Sequence, residues 1–394
     1  MLNNIVKIKN RNILISTIAH FTIDLYPAFI VGLIPLLAAK FSLSIFQVSI
    51  LTAVSQISNS ITQPFFGILS DRHGVKRYMT FGLLAAALFI SLIAILPNYF
   101  LILLFLFIGN LGVSAFHPPS AAMGAQYIGR KKGFGNSIIS LGGNAGYAMG
   151  SIFFIAIIEK MGIKFSPLAM IPGLLMTLFL IKKLKFSEAD KVINQNSLKL
   201  KSILKIRKAK LASIFLIWFA AFSRDVLWIA LLTFLPLYFT KNNISLFNTS
   251  IIIMLFGLVG GVGGVFASYF SDKLKRHVLI QIAYLAVIPL VFLIFKTPVK
   301  IGVILFVISG FFLISSMPLC ISISHDLFPK NLSLASSLVM GLSAGLAGIT
   351  GMLMGKIADN IGIQSTVYII LILLVIALIA LFFVPVTIKK LNKI

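Results

Sequence analysis

Acidic residues are scarce in this chain of 394 residues: nine Asp and Glu stand against 34 Lys and Arg, and charged residues make up only 11% of the total. A soluble domain of this size carries about 25% charged residues, so a chain this poor in them cannot cover its own surface in water. Cysteine occurs once, at Cys320, inside an apolar run. That excludes a disulfide framework and a Cys/His zinc module. No nucleophile–base pair and no nucleotide-binding glycine loop is visible, so an enzyme is not expected. A continuous basic face is missing too. The net charge of +25 is dispersed in short clusters between long apolar runs, which is not the footprint of a nucleic-acid binder.

Hydrophobic residues make up 59% of the chain. A bilayer core about 30 Å thick takes about 20 apolar residues as helix, and backbone groups in lipid must bond within their own segment. Twelve runs satisfy this: 13–39, 46–69, 78–96, 99–126, 134–158, 165–183, 211–238, 247–270, 278–295, 300–324, 333–357 and 364–386. The basic stretch before the first run resembles a signal peptide only superficially. The run contains Asp24 and Pro27 and lacks a small-residue cleavage site, so it reads as a retained span.

With the N-terminus inside, the inner segments hold 26 lysines and arginines and the outer segments seven. This bias predicts both termini in the cytoplasm. The expected organisation is a six-helix bundle over 1–184, a basic cytoplasmic linker over 185–210 lying on anionic lipid, and a second bundle over 211–394.

The halves repeat. At an offset of 201, Phe21, Asp24, Pro35, Lys40, Ser44, Phe46 and Ser49 recur as Phe222, Asp225, Pro236, Lys241, Ser245, Phe247 and Ser250. At an offset of 199, Pro119, Ser137, Gly142 and Gly146 recur as Pro318, Ser336, Gly341 and Gly345. Parallel six-helix repeats are a transporter pattern.

The loop after the second run reads Gly67-Ile68-Leu69-Ser70-Asp71-Arg72-His73-Gly74-Val75-Lys76-Arg77, with a degenerate copy at Ser271-Asp272-Lys273. A carboxylate at an inner helix end can pair with arginine and with a facing helix N-terminus. Gly67, Asp71, Arg72, Gly74, Lys76, Arg77 and Asp272 are therefore expected to form a cytoplasmic gate.

An ionisable side chain at mid-bilayer costs about 2.5–3.5 kcal/mol on insertion scales, so it marks function. Here Asp24 and His20 lie one helical turn apart in the first run, His117 in the fourth, Arg224 and Asp225 in the seventh, and His325 and Asp326 at the inner end of the tenth. Protonation of such a carboxylate is the simplest tie between solute movement and a proton gradient, and histidine titrates near neutrality. Asp24 and Asp326 are expected to couple protons. His20, His117, Arg224, Asp225 and His325 are expected to line a substrate cavity. Glycines at Gly142, Gly146 and Gly150, and at Gly341, Gly345, Gly348, Gly351 and Gly355, give smooth faces for close helix packing.

The loop fits the major facilitator signature G-x-L-x-D-R-x-G-x-[KR]-[KR] at every defined position. The chain resembles, more narrowly, the fosmidomycin-resistance branch of the major facilitator exporters. That resemblance rests on His20 to Asp24 with Pro35-Leu36-Leu37, on Phe116-His117-Pro118, on Gly142-Gly143-Asn144-x-Gly146 and on Asp326-Leu327-Phe328-Pro329. Two departures stand out: Pro119 replaces the branch's glutamate, and Ser151 replaces its proline.

The resemblance implies an all-α protein with spans one, four, seven and ten around a central cavity. It further implies a proton-driven antiporter exporting small drug-like or metabolite solutes. The expected partners are the solute, protons and membrane lipids, with no nucleic acid, no cofactor and no resident metal, in a monomer. Two other readings are a proton-coupled importer of an anionic metabolite held by Arg224, and divalent metal transport through His20, Asp24, His117 and His325.

Overall fold

The computed structural model describes residues 2–127, 132–184, 208–271, 273–328 and 335–384. Asp272 and residues 185–207 of the expected linker lie outside these, as does the side chain of Asp71.

Among the described residues the chain is helical. The elements are α1 (Leu2–Leu25), α2 (Phe29–Phe41), α3 (Ile45–Ser60), α4 (Gln63–His73), α5 (Val75–Ser91), α6 (Tyr99–Tyr127), α7 (Lys132–Met161), a 3₁₀ segment (Ile163–Met170) and α8 (Ile171–Lys183). They continue with α9 (Lys208–Lys241), α10 (Leu246–Phe270), α11 (Arg276–Ile294), α12 (Val299–Leu327), a π-helical turn (Ser337–Leu342), α13 (Ser343–Ile361) and α14 (Ile363–Leu381).

Ten candidate spans among the described residues are long and apolar enough to cross a membrane. The second and third expected runs are not among them, and the reason is local. The second run is split by a turn at Ile61–Thr62 into α3 and α4, of 16 and 11 residues, and α5 has 17. Pro64 sits in the first turn of α4, where a residue without an N–H is tolerated but the preceding helix cannot continue through it. The first run breaks for the same reason. Pro27 cannot donate to the Ile23 carbonyl, and the chain turns through Tyr26–Ala28 before α2 begins.

The chain divides into two compact units. The first comprises Met1–Leu43, Val54–Asn194 and Ile244–Met254; the second comprises Ser44–Ala53, Gln195–Asn243 and Leu255–Ile394. In the first unit α1 packs along α7, and α5 along α6. Gly142, Gly146 and Gly150 of α7 face the backbone of Thr17, Phe21 and Leu25 of α1, so a methyl at any of them would strike main chain. In the second unit α9 packs against α13 and α14, and α11 against α12.

The internal repeat extends to backbone geometry. Ser42 and Asn243, 201 apart, both take positive φ (50° and 63°), and Gly162 and Gly362 do likewise (96° and 85°). Two carboxylates absent from the sequence expectations cap helices at matching places. Asp359 accepts from the N–H groups of Ile45 (2.7 Å) and Phe46 (3.0 Å) in the second unit. Glu159 accepts from Phe247 N–H (3.2 Å) in the first. Both supply what the first turn of a helix lacks, an acceptor for its free N–H groups.

Candidate functional site

The first unit gathers three of the expected residues. Asp24 lies in the last turn of α1, just before the Pro27 break, and His20 lies one turn earlier on the same face. His117 comes from α6, immediately before Pro118-Pro119. His20 Nε2 stands 3.2 Å from Asp24 Oδ2, and His117 Nε2 stands 3.4 Å from Asp24 Oδ1. The carboxylate thus presents one oxygen to each imidazole. All three side chains are 14–20% exposed. The rings of His20 and His117 meet edge-on at 5.1 Å, and Phe116 lies 5.9 Å from His20.

Two local facts produce this convergence. The carbonyl end of a helix is negative and does not favour a carboxylate, so Asp24 relies on the side chains beside it, His20 and His117. The backbone of α7 also comes close enough to seal one side of the group. A Cβ built on Gly143 would lie 2.5 Å from Asp24 Oδ2 and 2.8 Å from His20 Nε2. Any side chain at this position would displace the carboxylate. His20 Nδ1 is buried and has no hydrogen-bond partner.

The second unit holds a different arrangement around Asp225, the repeat mate of Asp24. Arg224 donates to Asp225 Oδ1 from Nε (3.0 Å) and Nη2 (2.7 Å). Ser343 Oγ donates to Oδ2 at 2.6 Å. Ser343 opens α13 directly after the π-helical turn. Such a turn inserts an extra residue into the helical ladder and re-aims the side chains beyond it, and it is often found at functional sites. Arg224 is 5% exposed, and its Nη1 is buried without a partner.

The remaining expected residues sit elsewhere. His325 Nε2 lies 2.7 Å from Ser336 Oγ. Asp326 pairs with Arg276 of α11 and is 69% exposed, a surface ion pair rather than a buried carboxylate.

Of the expected gate, Gly67 faces Pro118 of α6, where a Cβ would make ordinary contact at 3.5 Å. Gly74 turns the chain between α4 and α5 at φ +101°, a conformation that glycine adopts without strain. Lys76 Nζ donates to the Ile181 carbonyl at 2.6 Å, and Arg77 lies over the Phe81 ring at 5.8 Å. Arg72 is exposed. The Lys76 contact fastens the start of α5 to α8.

Nothing along the sequence singles out Gly143 from its glycine-rich run, or Ser343. Glu159 and Asp359 are also missing from the expected residues, although their separation of 200 matches the repeat and is a signal that points to them.

The chain is 24% identical to the fosmidomycin resistance protein of Escherichia coli (strain K12) over 350 residues, covering 88% of this chain and 86% of that protein. It is 26% identical over 376 residues to an uncharacterized MFS-type transporter, YfnC, of Bacillus subtilis (strain 168), covering 93% and 91%. Among solved structures, the nucleoside transporter NupG superposes with a TM-score of 0.77 at 13% identity, covering 95% of this chain and 99% of that one. The apolar helices describe a multi-pass membrane protein, and the superposition shows that it shares the fold of that structure. Residues 14–333 match the family model of the Major Facilitator Superfamily, and the chain belongs to that family.

Proposed function

We propose that this chain is a secondary active transporter that exports a small drug-like or metabolite solute across the plasma membrane in exchange for protons. It works by alternating access, with twelve spans and both termini in the cytoplasm. One observation carries the proton reading: the Asp24 carboxylate is held between the imidazoles of His20 and His117, from two helices, inside the apolar first unit. A carboxylate in that setting is costly unless it serves the cycle. Proton exchange between this carboxylate and the two imidazoles beside it is the step this reading assigns to the triad. The likeness to a resistance protein favours outward movement.

The roles divide between the units. Asp24 with His20 and His117 loads and releases the proton. Arg224 and Asp225 contribute a fixed ion pair to the solute path, and Gly67 through Arg77 form the cytoplasmic gate. Asp326, on the surface with Arg276, serves that inner end rather than the coupling centre.

The test is flux in reconstituted vesicles under an imposed pH gradient, with a solute chosen by thermal-shift screening that begins with fosmidomycin. Solute should leave the cytoplasmic side only while protons run inward. Equal flux without a gradient, or wild-type flux from Asp24→Asn, would overturn the assignment.

A second reading is import of an anionic metabolite, and it is favoured by the unpartnered Nη1 of Arg224. A buried guanidinium N–H without an acceptor is costly, and a ligand anion would supply one. Under the same gradient, that reading requires solute and protons to move in the same direction.

A further inference from the structure

The geometry of the triad points to a second occupant besides the solute and the proton. We propose that His20, Asp24 and His117 form a binding site for one late first-row divalent cation of the zinc class. Each residue offers one ligand atom, and the three atoms lie within 4.8 Å of one another.

The spacing of the three ligand atoms brings them within reach of one ion. Zinc binds imidazole nitrogen and carboxylate oxygen at about 2.0–2.2 Å in tetrahedral sites, so neighbouring ligand atoms stand about 3.3–3.5 Å apart by the geometry of a tetrahedron. Here His20 Nε2 stands 3.2 Å from Asp24 Oδ2 and His117 Nε2 stands 3.4 Å from Oδ1, the other oxygen, so an ion bound through one oxygen draws the farther imidazole toward it. The donor set, two imidazoles and one carboxylate, suits zinc and its neighbours and not magnesium or calcium, which take oxygen ligands. Three protein ligands also leave the fourth position open, as in sites that exchange water or ligand. Gly143 lets the α7 backbone close this flank without displacing the ligand atoms, because a Cβ there would stand 2.5 Å from the Asp24 oxygen and 2.8 Å from His20 Nε2.

His325 does not join this group. Among the described residues the close group of ligand atoms comprises His20, Asp24 and His117, and His325 lies against Ser336 instead.

The surroundings also set the strength of the site. A metal-bound imidazole normally donates its other N–H to a carboxylate or carbonyl, and loss of such a partner costs about 10–100-fold in affinity. His20 Nδ1 has no partner. The site therefore holds its ion reversibly, as an inhibitor does, and not as a structural zinc is held. Inhibition rests on the coupling reading above: an ion ligated by Asp24 occupies the group assigned to the proton. Binding itself does not depend on that reading.

The test uses the purified full-length chain in detergent, with no gradient, so that a failure of binding and a failure of coupling are read separately. Zinc chloride is titrated by calorimetry, with magnesium chloride as control. Wild type should bind one zinc per chain saturably and ignore magnesium. His117→Ala and His20→Ala should each weaken zinc binding by about 10-fold or more, while their melting temperatures without metal stay at the wild-type value. Should His117→Ala fold poorly, His117→Gln keeps the volume and removes the ligand nitrogen. Cobalt should give the intense visible bands of a four-coordinate site in wild type and lose them in the same variants. Zinc binding of equal strength in wild type and both histidine variants overturns the proposal, and so does the absence of saturable binding in wild type.

Discussion

Asp24 and Asp225 occupy matching positions in the two halves of the repeat, yet their surroundings have opposite character. Asp24 faces two imidazoles, from two different helices. Asp225 faces a guanidinium, whose charge is permanent, together with a serine hydroxyl. One half holds a carboxylate between two histidines and the other a carboxylate paired with an arginine. The backbone differs in the same sense. Span one is broken at Pro27 directly after Asp24, whereas α9 runs unbroken through Asp225. On the proton-coupled function proposed above, one half alone handles the proton. The equivalent carboxylate of the other half is then free to become structure.

That contrast can be broken by substitution. The largest expected effect is functional: Asp24→Asn should reduce gradient-driven transport to background in vesicles while leaving the detergent melting temperature unchanged. Asp225→Asn should do the reverse first. It strands the Arg224 guanidinium without its counter-charge, and breaking a buried pair costs about 3–5 kcal/mol. Chemical denaturation should report that loss, and the double change Arg224→Met with Asp225→Leu should recover most of it. If Asp225→Asn melts like wild type, the fixed-pair description of the second half fails.

Smaller effects sharpen the comparison. Gly143→Ala forces a methyl into the Asp24 carboxylate. It should cost about 1–3 kcal/mol by overpacking and should lower transport along with stability; a silent Gly143→Ala would mean that the triad has room to shift. The two helix caps give the finest reading. Asp359→Ala removes the acceptors of the Ile45 and Phe46 N–H groups and should cost about 0.5–2 kcal/mol, toward the upper end. Glu159→Ala removes one longer bond and should fall at the lower end. Equal melting losses for the two would erase the asymmetry that their bond lengths imply.

Much of this protein is legible in its residues. His20 and Asp24 lie four apart, so any helix places them on one face, and the repeat pairs Asp24 with Asp225 by position along the chain alone. The glycine spacing of α7 predicts close packing, and the ladder lies against the α1 backbone. Other features are out of reach of spacing. His117 is 93 residues from Asp24, and only the packing of α6 beside α1 brings its ring to the carboxylate. Asp326 reads as a coupling carboxylate because it ends an apolar run, but the side chain leaves the helix toward Arg276 and water. Ser343 reaches Asp225 because a π-helical turn precedes it, and sequence periodicity assumes a regular helix.

By itself the sequence determined the solvent, the helical class, the duplication and the family signature, because these depend on composition and on spacing along one chain. The tertiary structure decided which charges meet and which are left alone. That choice depends on side-chain direction, on where prolines interrupt a span, and on a single missing Cβ at Gly143, none of which has a period that can be read along the chain.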